Sequence, residues 1–233
     1  MAAVVGLLIV LEAAASLLLA AAFGLDLPAV AHFGSLAARG PDATELLRWG
    51  AALDVGGYLA FGLVVLFVRQ HMLPRGGLVV DALTASGLGA VVVGATGAAV
   101  LATVGPALLA DGAGALQLGA EASAAALELL GRVVMAGLWG TMVLGLLGAW
   151  LAGVGWLTRR DGLSALAALV SGGGMLAASL RTAATGRILP DIGSPLDALV
   201  VVAIFACVSL LFVWLLWLAI QLWRGPRGTR RTA

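Results

Sequence analysis

Two acidic residues lie inside long apolar stretches of the sequence, where a charged group is costly. Glu12 stands in the middle of the first stretch, and Asp54 follows Trp49 by five residues in the second. A charge near the centre of a membrane-spanning helix costs about 2.5 to 3.5 kcal/mol on insertion scales, so such residues often mark function. Either carboxyl group could carry a proton in transport, or an arginine could neutralise it in a structural network.

Further charged residues fall at a similar predicted depth. Glu128 and Arg132 have the i, i+4 spacing that favours an ion pair on one helix face. We therefore expect Arg132 to lie within ion-pair distance of Asp54, Glu12 or Glu128. The predicted cluster, either a buried charge network or a transport site, consists of Glu12, Asp54, Glu128, Arg132, Arg181 and Asp197. The available arginines favour the structural interpretation over the transport site.

Several other chemistries lack the residues they need. All 13 basic residues are arginines, so no lysine can form a Schiff base with retinal or pyridoxal phosphate. The single cysteine, Cys207, excludes an internal disulfide, a thiolate zinc site and an iron–sulfur cluster. His32 and His71 fall in different loops, so they cannot share a haem iron or a zinc ion. We expect no metal and no cofactor.

A serine nucleophile also lacks its base, because no histidine falls at membrane depth. We expect the serines in the apolar stretches to be small packing residues or to hydrogen-bond to backbone; these are Ser16, Ser86, Ser171, Ser179 and Ser209. The sequence therefore contains no catalytic constellation and predicts a protein that is not an enzyme.

The elements that position these residues follow from the composition, which is 62% hydrophobic and 11% charged. An ordinary soluble domain carries about 25% charged residues, and a helix of about 20 apolar residues spans a bilayer. Six stretches reach that length: 3–23, 49–68, 78–104, 131–157, 162–184 and 197–222. We predict one all-α domain over residues 1–224, a bundle of six transmembrane helices, followed by a basic cytoplasmic tail at 225–233.

The arginines set the predicted orientation, because short cytoplasmic loops collect basic residues. Eight of them fall on one side, at Arg69, Arg75, Arg159, Arg160, Arg224, Arg227, Arg230 and Arg231. Both termini are then cytoplasmic, and a net charge of +1 gives nucleic acid no reason to bind. The first stretch contains Glu12 and lacks a basic start, which predicts a retained helix rather than a secretory signal.

Two connections are longer than a tight turn requires. Residues 24–46 contain Asp26, Pro28 and Val30, then Phe33 and Leu36 at helical spacing, which predicts a short helix on the outer surface. Residues 105–130 open with Gly105 and Pro106, which predicts a loop there before an alanine-rich helix enters the fourth span.

Glycine is frequent, with 33 residues in the chain. Small residues recur every four positions in the fourth span, which predicts a ridge for close helix packing: Gly137, Thr141, Gly145, Ala149 and Gly153. Gly172, Gly173 and Gly174 fall together in the fifth span. They indicate either close packing or a hinge, and packing is favoured because glycine is common in membrane helices.

The segment Arg48-Trp49-Gly50-Ala51-Ala52-Leu53-Asp54 resembles the R-x-G-x-x-x-D start of the second helix in an uncharacterised family of six-helix bacterial membrane proteins. The turn from Gly155 to Gly162 and the Trp214-Leu215-Leu216 segment are similar to that family's pattern. The third span departs from it, because it begins with Asp81 and contains no arginine. The resemblance implies a bacterial plasma-membrane protein and transfers no activity.

Two functions therefore stay open for this chain. The first is a non-enzymatic accessory or assembly component that packs against lipids, partner subunits or itself. The alternative is a small proton-coupled transporter or channel with a polar site of Glu12, Asp54, Arg132 and Arg181. The two are separated by whether Glu12 and Asp54 face a cavity or are neutralised in a dry interface.

Overall fold

The computed structural model describes residues 1–25, 33–39, 41–73, 76–110, 120–187 and 195–223. These residues form helices and no strand. The α-helices are α1 (Ala2–Ala22), α2 (Pro41–Phe67), α3 (Leu78–Ala110), α4 (Ala120–Gly131), α5 (Leu144–Leu157), α6 (Leu163–Thr185) and α7 (Pro195–Trp223). Short 3-10 helices cover Phe33–Ala38 and Arg159–Asp161, and π-helical segments cover Val68–Met72 and Arg132–Val143.

Among the described residues, six helical units are long and apolar enough to cross a membrane, which confirms the predicted all-α architecture to that extent. The fourth unit is composite. Gly131 and Leu144, which flank the π-helical segment, both keep right-handed helical backbone angles. The chain therefore runs through α4, the π-helical segment and α5 as one continuous helix, called the α4–α5 helix below.

The six units close into a ring. Along the chain, α1 packs on α2, α2 on α3, α3 on the α4–α5 helix, that helix on α6, and α6 on α7. Contacts between α7 and α1 complete the ring. Every unit therefore has an inner face, and side chains from all six can meet at the centre.

The third helix extends further than the sequence predicts. A loop was expected to open at Gly105 and Pro106, but α3 continues through both residues to Ala110. Proline removes one backbone hydrogen bond from a helix interior. Here both residues are buried, and Leu47 of α2 fills the space where a Gly105 Cβ would stand. Packing against α2 outweighs the lost bond.

The short helix predicted on the outer surface is instead partly buried. Phe33 and Leu36 lie in the 3-10 helix, with 3% and 0% of their surfaces exposed. The Phe33 ring meets Phe23 edge to face, with 5.0 Å between the ring centroids, and it lies against Gly131. Burial of these two apolar side chains against the end of the bundle is more favourable in free energy than leaving them on a membrane surface. Asp26, Pro28 and Val30 lie outside the described residues.

Two apolar clusters fill the bundle, one toward each end. The Phe33-end cluster consists of Ala22, Phe23, Phe33, Leu36, Ala43, Leu47, Ala51, Leu101 and Val134. The Arg69-end cluster surrounds Trp150, whose ring meets Phe61 and Trp214 edge to face at 5.3 and 5.9 Å between centroids. Each cluster seals one half of the interior. The tail at 225–233 and the arginines at 75, 224, 227, 230 and 231 lie outside the described residues.

Candidate functional site

Glu12 and Asp54 face each other between the two apolar clusters. Their carboxyl groups are close enough to hydrogen-bond to one another, and Asp54 is only 7% exposed. On α1, Glu12 lies between Leu8 of the Arg69-end cluster and Ala22 of the Phe33-end cluster. The pair is therefore separated from both ends of the bundle by packed apolar side chains.

Glycines on α2 let the two acids meet. Gly50 packs on α1, where an added Cβ would stand 3.0 Å from Leu19 Cγ and 3.1 Å from its backbone nitrogen. Gly57 lies seven residues further along, about two turns, and so on nearly the same face. A Cβ at Gly57 would collide with the Glu12 carboxyl group. The missing side chains make room for an acid in the contact between α1 and α2.

The predicted pairing of Arg132 with Glu128 is confirmed, but among the described residues the predicted arginines do not pair with Glu12 or Asp54. Arg132 pairs with Glu128, with 3.3 Å between Nε and Oε1, and 71% of its side chain is exposed. Arg181 donates a hydrogen bond to the Arg187 carbonyl at 3.3 Å. Within the described part of the chain, no arginine forms an ion pair with Glu12 or Asp54.

The six predicted residues therefore do not form one cluster in the described structure. Arg132 begins the π-helical segment after α4, and Arg181 lies in the C-terminal part of α6, whereas Glu12 and Asp54 lie deeper. Asp197 is part of α7, and its side chain lies outside what the structure describes. The sequence singled out the two acids but did not predict that they pair with each other.

Tyr58 completes the site, and sequence reasoning missed it. It is the only tyrosine in the chain and follows Asp54 by one helical turn, a signal that was available. Its ring packs against α3 at Gly94, where an added Cβ would collide with the ring. No described residue hydrogen-bonds to its hydroxyl group.

A cavity of about 160 Å³ adjoins the pair at the centre of the ring. Glu12 and Tyr58 are the polar side chains that line it, and the other lining residues are apolar. All six units contribute, with α7 supplying Val208, Leu211, Phe212 and Leu215. The arrangement places a carboxyl group and a phenol in contact with a space large enough for a small molecule.

Glu128 has a structural role at the Phe33 end. Its Oε2 accepts a hydrogen bond from the Gly34 backbone N–H at 3.2 Å, while its Oε1 faces Arg132. One carboxylate thus ties the 3-10 helix to α4. At the opposite end, Arg69 bonds to Asp81 at 2.8 Å and joins the end of α2 to the first turn of α3.

No group of three or more metal-ligating side chains occurs among the described residues. The His71 ring stacks on Phe67 at 4.2 Å, and its Nδ1 lies 3.2 Å from the Phe67 carbonyl oxygen. His32 lies outside the described residues.

Serine hydroxyls connect neighbouring helices through backbone carbonyls, as the sequence predicts for this residue type. Ser86 donates to Leu146 at 2.8 Å, Ser171 to Cys207 at 2.7 Å, and Ser179 to Thr141 at 2.7 Å. Each bond satisfies a hydroxyl that would otherwise be unpaired in an apolar environment.

The packing ridge of the α4–α5 helix differs from the predicted one. The residues that meet α6 are Thr141, Gly145, Gly148, Ala152 and Gly155. Gly137 lies near the carbonyl of Arg132, and Gly153 instead faces Leu83 of α3. An α-helical turn contains 3.6 residues, so residues spaced by four drift gradually around the helix. Residues spaced alternately by four and three stay on one face. Ala149 is half-buried in the same helix.

The three adjacent glycines of α6 have three different surroundings. A Cβ on Gly172 would meet the α5 backbone at Ala152 and at Gly148, where it would stand 2.6 Å from the carbonyl oxygen. A Cβ on Gly174 would collide with Cys207 of α7, whereas Gly173 has no neighbour within 4 Å. Helix α6 is continuous through all three, so in this conformation two of them serve close packing.

Comparison with known proteins gives no match for this chain, whether with protein-family models, curated proteins or solved structures. The resemblance of residues 48–54 to an uncharacterised family gains no support from it.

Proposed function

We propose that this chain is a small proton-coupled membrane transporter in which Glu12 and Asp54 together take up and release the proton. The observation that supports this function is that the two carboxyl groups pair with each other beside a central cavity. A structural network would place a basic side chain against each acid. The proposal makes the chain a carrier and not an enzyme.

The chemistry follows from the charge of the pair. Two carboxylates in contact repel each other strongly where water is excluded, so the pair holds a proton when no cation is present. Release of that proton leaves the pair with a second negative charge, which another cation must neutralise. A site of this kind exchanges a proton for a cation, or one proton for another.

The proposed function places the chain in a lipid bilayer. In α1 and α7, only 17% of the most apolar window is buried within the protein, so most of both helices would contact lipid. We place the chain in a bacterial plasma membrane with both termini cytoplasmic. The arginine bias of the sequence toward the Arg69 end supports this orientation.

Proton uptake by liposomes tests the proposal. The full-length chain is reconstituted with an internal pH-sensitive dye, and a potassium diffusion potential drives protons inward. We expect uptake by the wild type and its loss in Glu12→Gln and Asp54→Asn, since neither amide can release a proton at this site. Glu45→Gln is the matched control, because Glu45 is an exposed acid paired with Arg48 at the surface.

The variants must be folded for the comparison to count, so their elution profiles and melting temperatures in detergent are measured alongside. Folded wild-type protein that admits no protons would contradict transport. Uptake that persists in both amide variants would contradict the role of the pair.

The accessory function is the second candidate, and the exposed apolar faces of α1 and α7 favour it. Such faces suit partner subunits or a second copy as well as lipid. Purification from membranes in mild detergent followed by mass spectrometry separates the two functions. A partner recovered in equal amount, together with absent proton uptake, would favour the accessory component.

A further inference from the structure

The central cavity limits the size of whatever binds beside the carboxyl pair. Its volume of about 160 Å³ is close to that of an engineered cavity of about 150 Å³ that binds benzene. A ligand about the size of one aromatic ring therefore fits.

The lining defines the charge of that ligand. Glu12 contributes a carboxyl group, and Asp54 adds a second one directly behind it. No basic side chain among the described residues neutralises them, so an anion would be repelled. A cation would replace the shared proton and compensate the negative charge that the departing proton leaves.

Aromatic side chains favour an organic cation over a metal ion. Tyr58, Phe61 and Phe212 line the cavity, and the faces of such rings attract ammonium groups. The rest of the wall is aliphatic or thioether, which matches an apolar body and gives a metal ion no further oxygen ligands. The Tyr58 hydroxyl, without a hydrogen-bond partner among the described residues, can accept one from an ammonium group.

From these features we infer that the cavity binds a small organic cation. This ligand is a protonated amine with an apolar body about the size of a benzene ring. This inference rests on the proposed function, because the same carboxyl pair must give up its proton to accept the amine. The amine and the proton then compete for one negative charge.

The groups that face the pair are few. From α1 and α2 they are the two acids and Tyr58. From α3, the α4–α5 helix, α6 and α7, the described lining residues are apolar. Cys207 on α7 contacts Gly174 instead. Competition for binding therefore depends on Glu12 and Asp54 themselves.

Binding to the purified full-length chain in detergent tests this inference with three probes of one shape. Benzylamine is a cation at mildly alkaline pH, toluene is neutral and benzoate is an anion. We expect benzylamine to bind roughly ten- to a hundredfold more tightly than toluene, the factor that one charge-assisted hydrogen bond contributes. Benzoate should not bind.

Calorimetry in two buffers of different ionisation enthalpy adds an independent measurement. Benzylamine should release about one proton per molecule bound, because it replaces the shared proton. Glu12→Gln should remove both the proton release and the preference over toluene, while Glu45→Gln should keep both. Ala90→Leu fills the cavity without changing its charge and should weaken binding of benzylamine and toluene alike.

Equal binding of benzylamine and toluene, binding of benzoate, or binding of no probe would overturn the inference. Its failure differs from failure of the transporter proposal. Proton uptake without amine binding would contradict only the ligand class. Amine binding with proton release, but without uptake in liposomes, would contradict transport and leave the cation site in place.

Discussion

The indole Nε1–H of Trp139 donates a hydrogen bond to the backbone carbonyl of Gly94, with 3.2 Å between the two atoms. The same glycine carries the Tyr58 ring against its α-carbon, so one residue of α3 holds aromatic side chains from two neighbours. The phenol is thereby fixed beside the cavity and the carboxyl pair.

Adding a methyl group at this position should displace the phenol. We expect Gly94→Ala to destabilise the protein by about 1 to 3 kcal/mol, because the new Cβ collides with the Tyr58 ring. Gly89→Ala is the control on the same helix, where the nearest atom is the flexible end of Leu146 at 3.4 Å. Thermal unfolding in detergent checks both, and equal melting temperatures would show that the ring does not lie on Gly94.

The adjacent glycines of α6 should respond in opposite directions. Gly172→Ala forces apart the backbones of α5 and α6, and we expect it to cost about 1 to 3 kcal/mol. Gly173→Ala meets open space and should stabilise the helix by up to about 1 kcal/mol through its better helix propensity. The melting temperatures of the two variants, compared with that of the wild type, test this prediction. A gain in both would mean that α6 does not pack on α5 at Gly172.

Removal of Arg132 should have little effect. Its ion pair with Glu128 is exposed, so Arg132→Ala should cost between about 0 and 1 kcal/mol. Glu128→Ala should cost more, because the Gly34 N–H then loses its acceptor, a bond worth about 0.5 to 1.5 kcal/mol. Chemical denaturation of the two variants measures the difference. A larger loss for Arg132→Ala would show that this arginine supports a buried acid.

The carboxyl pair should tolerate an amide better than a truncation. Asp54→Asn keeps a group that can hydrogen-bond to Glu12, whereas Asp54→Ala leaves that buried carboxyl without its partner. We expect the alanine variant to be less stable than the asparagine variant by about 1 to 3 kcal/mol. Unfolding measured for both would show equal stabilities if the two acids were not in contact.

Orientation can be checked with cysteines placed at opposite ends of the bundle. In a Cys207→Ala background, Asp42→Cys lies at the Phe33 end and Gly77→Cys at the Arg69 end, and both positions are exposed. An impermeant maleimide added to intact cells should label only the first, because the arginine bias predicts that the Arg69 end is cytoplasmic. Labelling of Gly77→Cys without permeabilisation would reverse the assignment.

The number of helices long and apolar enough to span a membrane, and the position of the two acids within two of them, could be predicted from the sequence, because hydropathy and isolated charges are local properties. The pairing of Glu12 with Asp54 could not, since it depends on the space that Gly57 leaves between α1 and α2. The expected ion pair between Arg132 and Glu128 is confirmed, whereas no described arginine pairs with Glu12 or Asp54 as the structural interpretation had expected. Arg132 has a closer acid one turn away in Glu128, and a local partner is reached before a distant one.

The ends of the elements were harder to predict for a different reason. The backbone preferences of Gly105 and Pro106 alone predict a loop. Packing of Leu47 from α2 against Gly105 instead favours continuation of helix α3 through both residues. The same applies to Phe33 and Leu36, whose spacing gives a helical face but does not say what covers it. In each case a neighbour distant in sequence decided the outcome.

The π-helical segment Arg132–Val143 determines where this chain can change in length. A π-helical turn closes its hydrogen bond over five residues instead of four, so it contains one residue more than an α-helical turn. Deletion of one residue there can be absorbed by a return to α-helical bonding. The same deletion in the first half of α3 would rotate everything beyond it by about 100° and turn Gly94 away from Tyr58. Among homologous chains, insertions and deletions within the spans should therefore concentrate in the π-helical segments, above all between residues 132 and 143 and also at Val68–Met72.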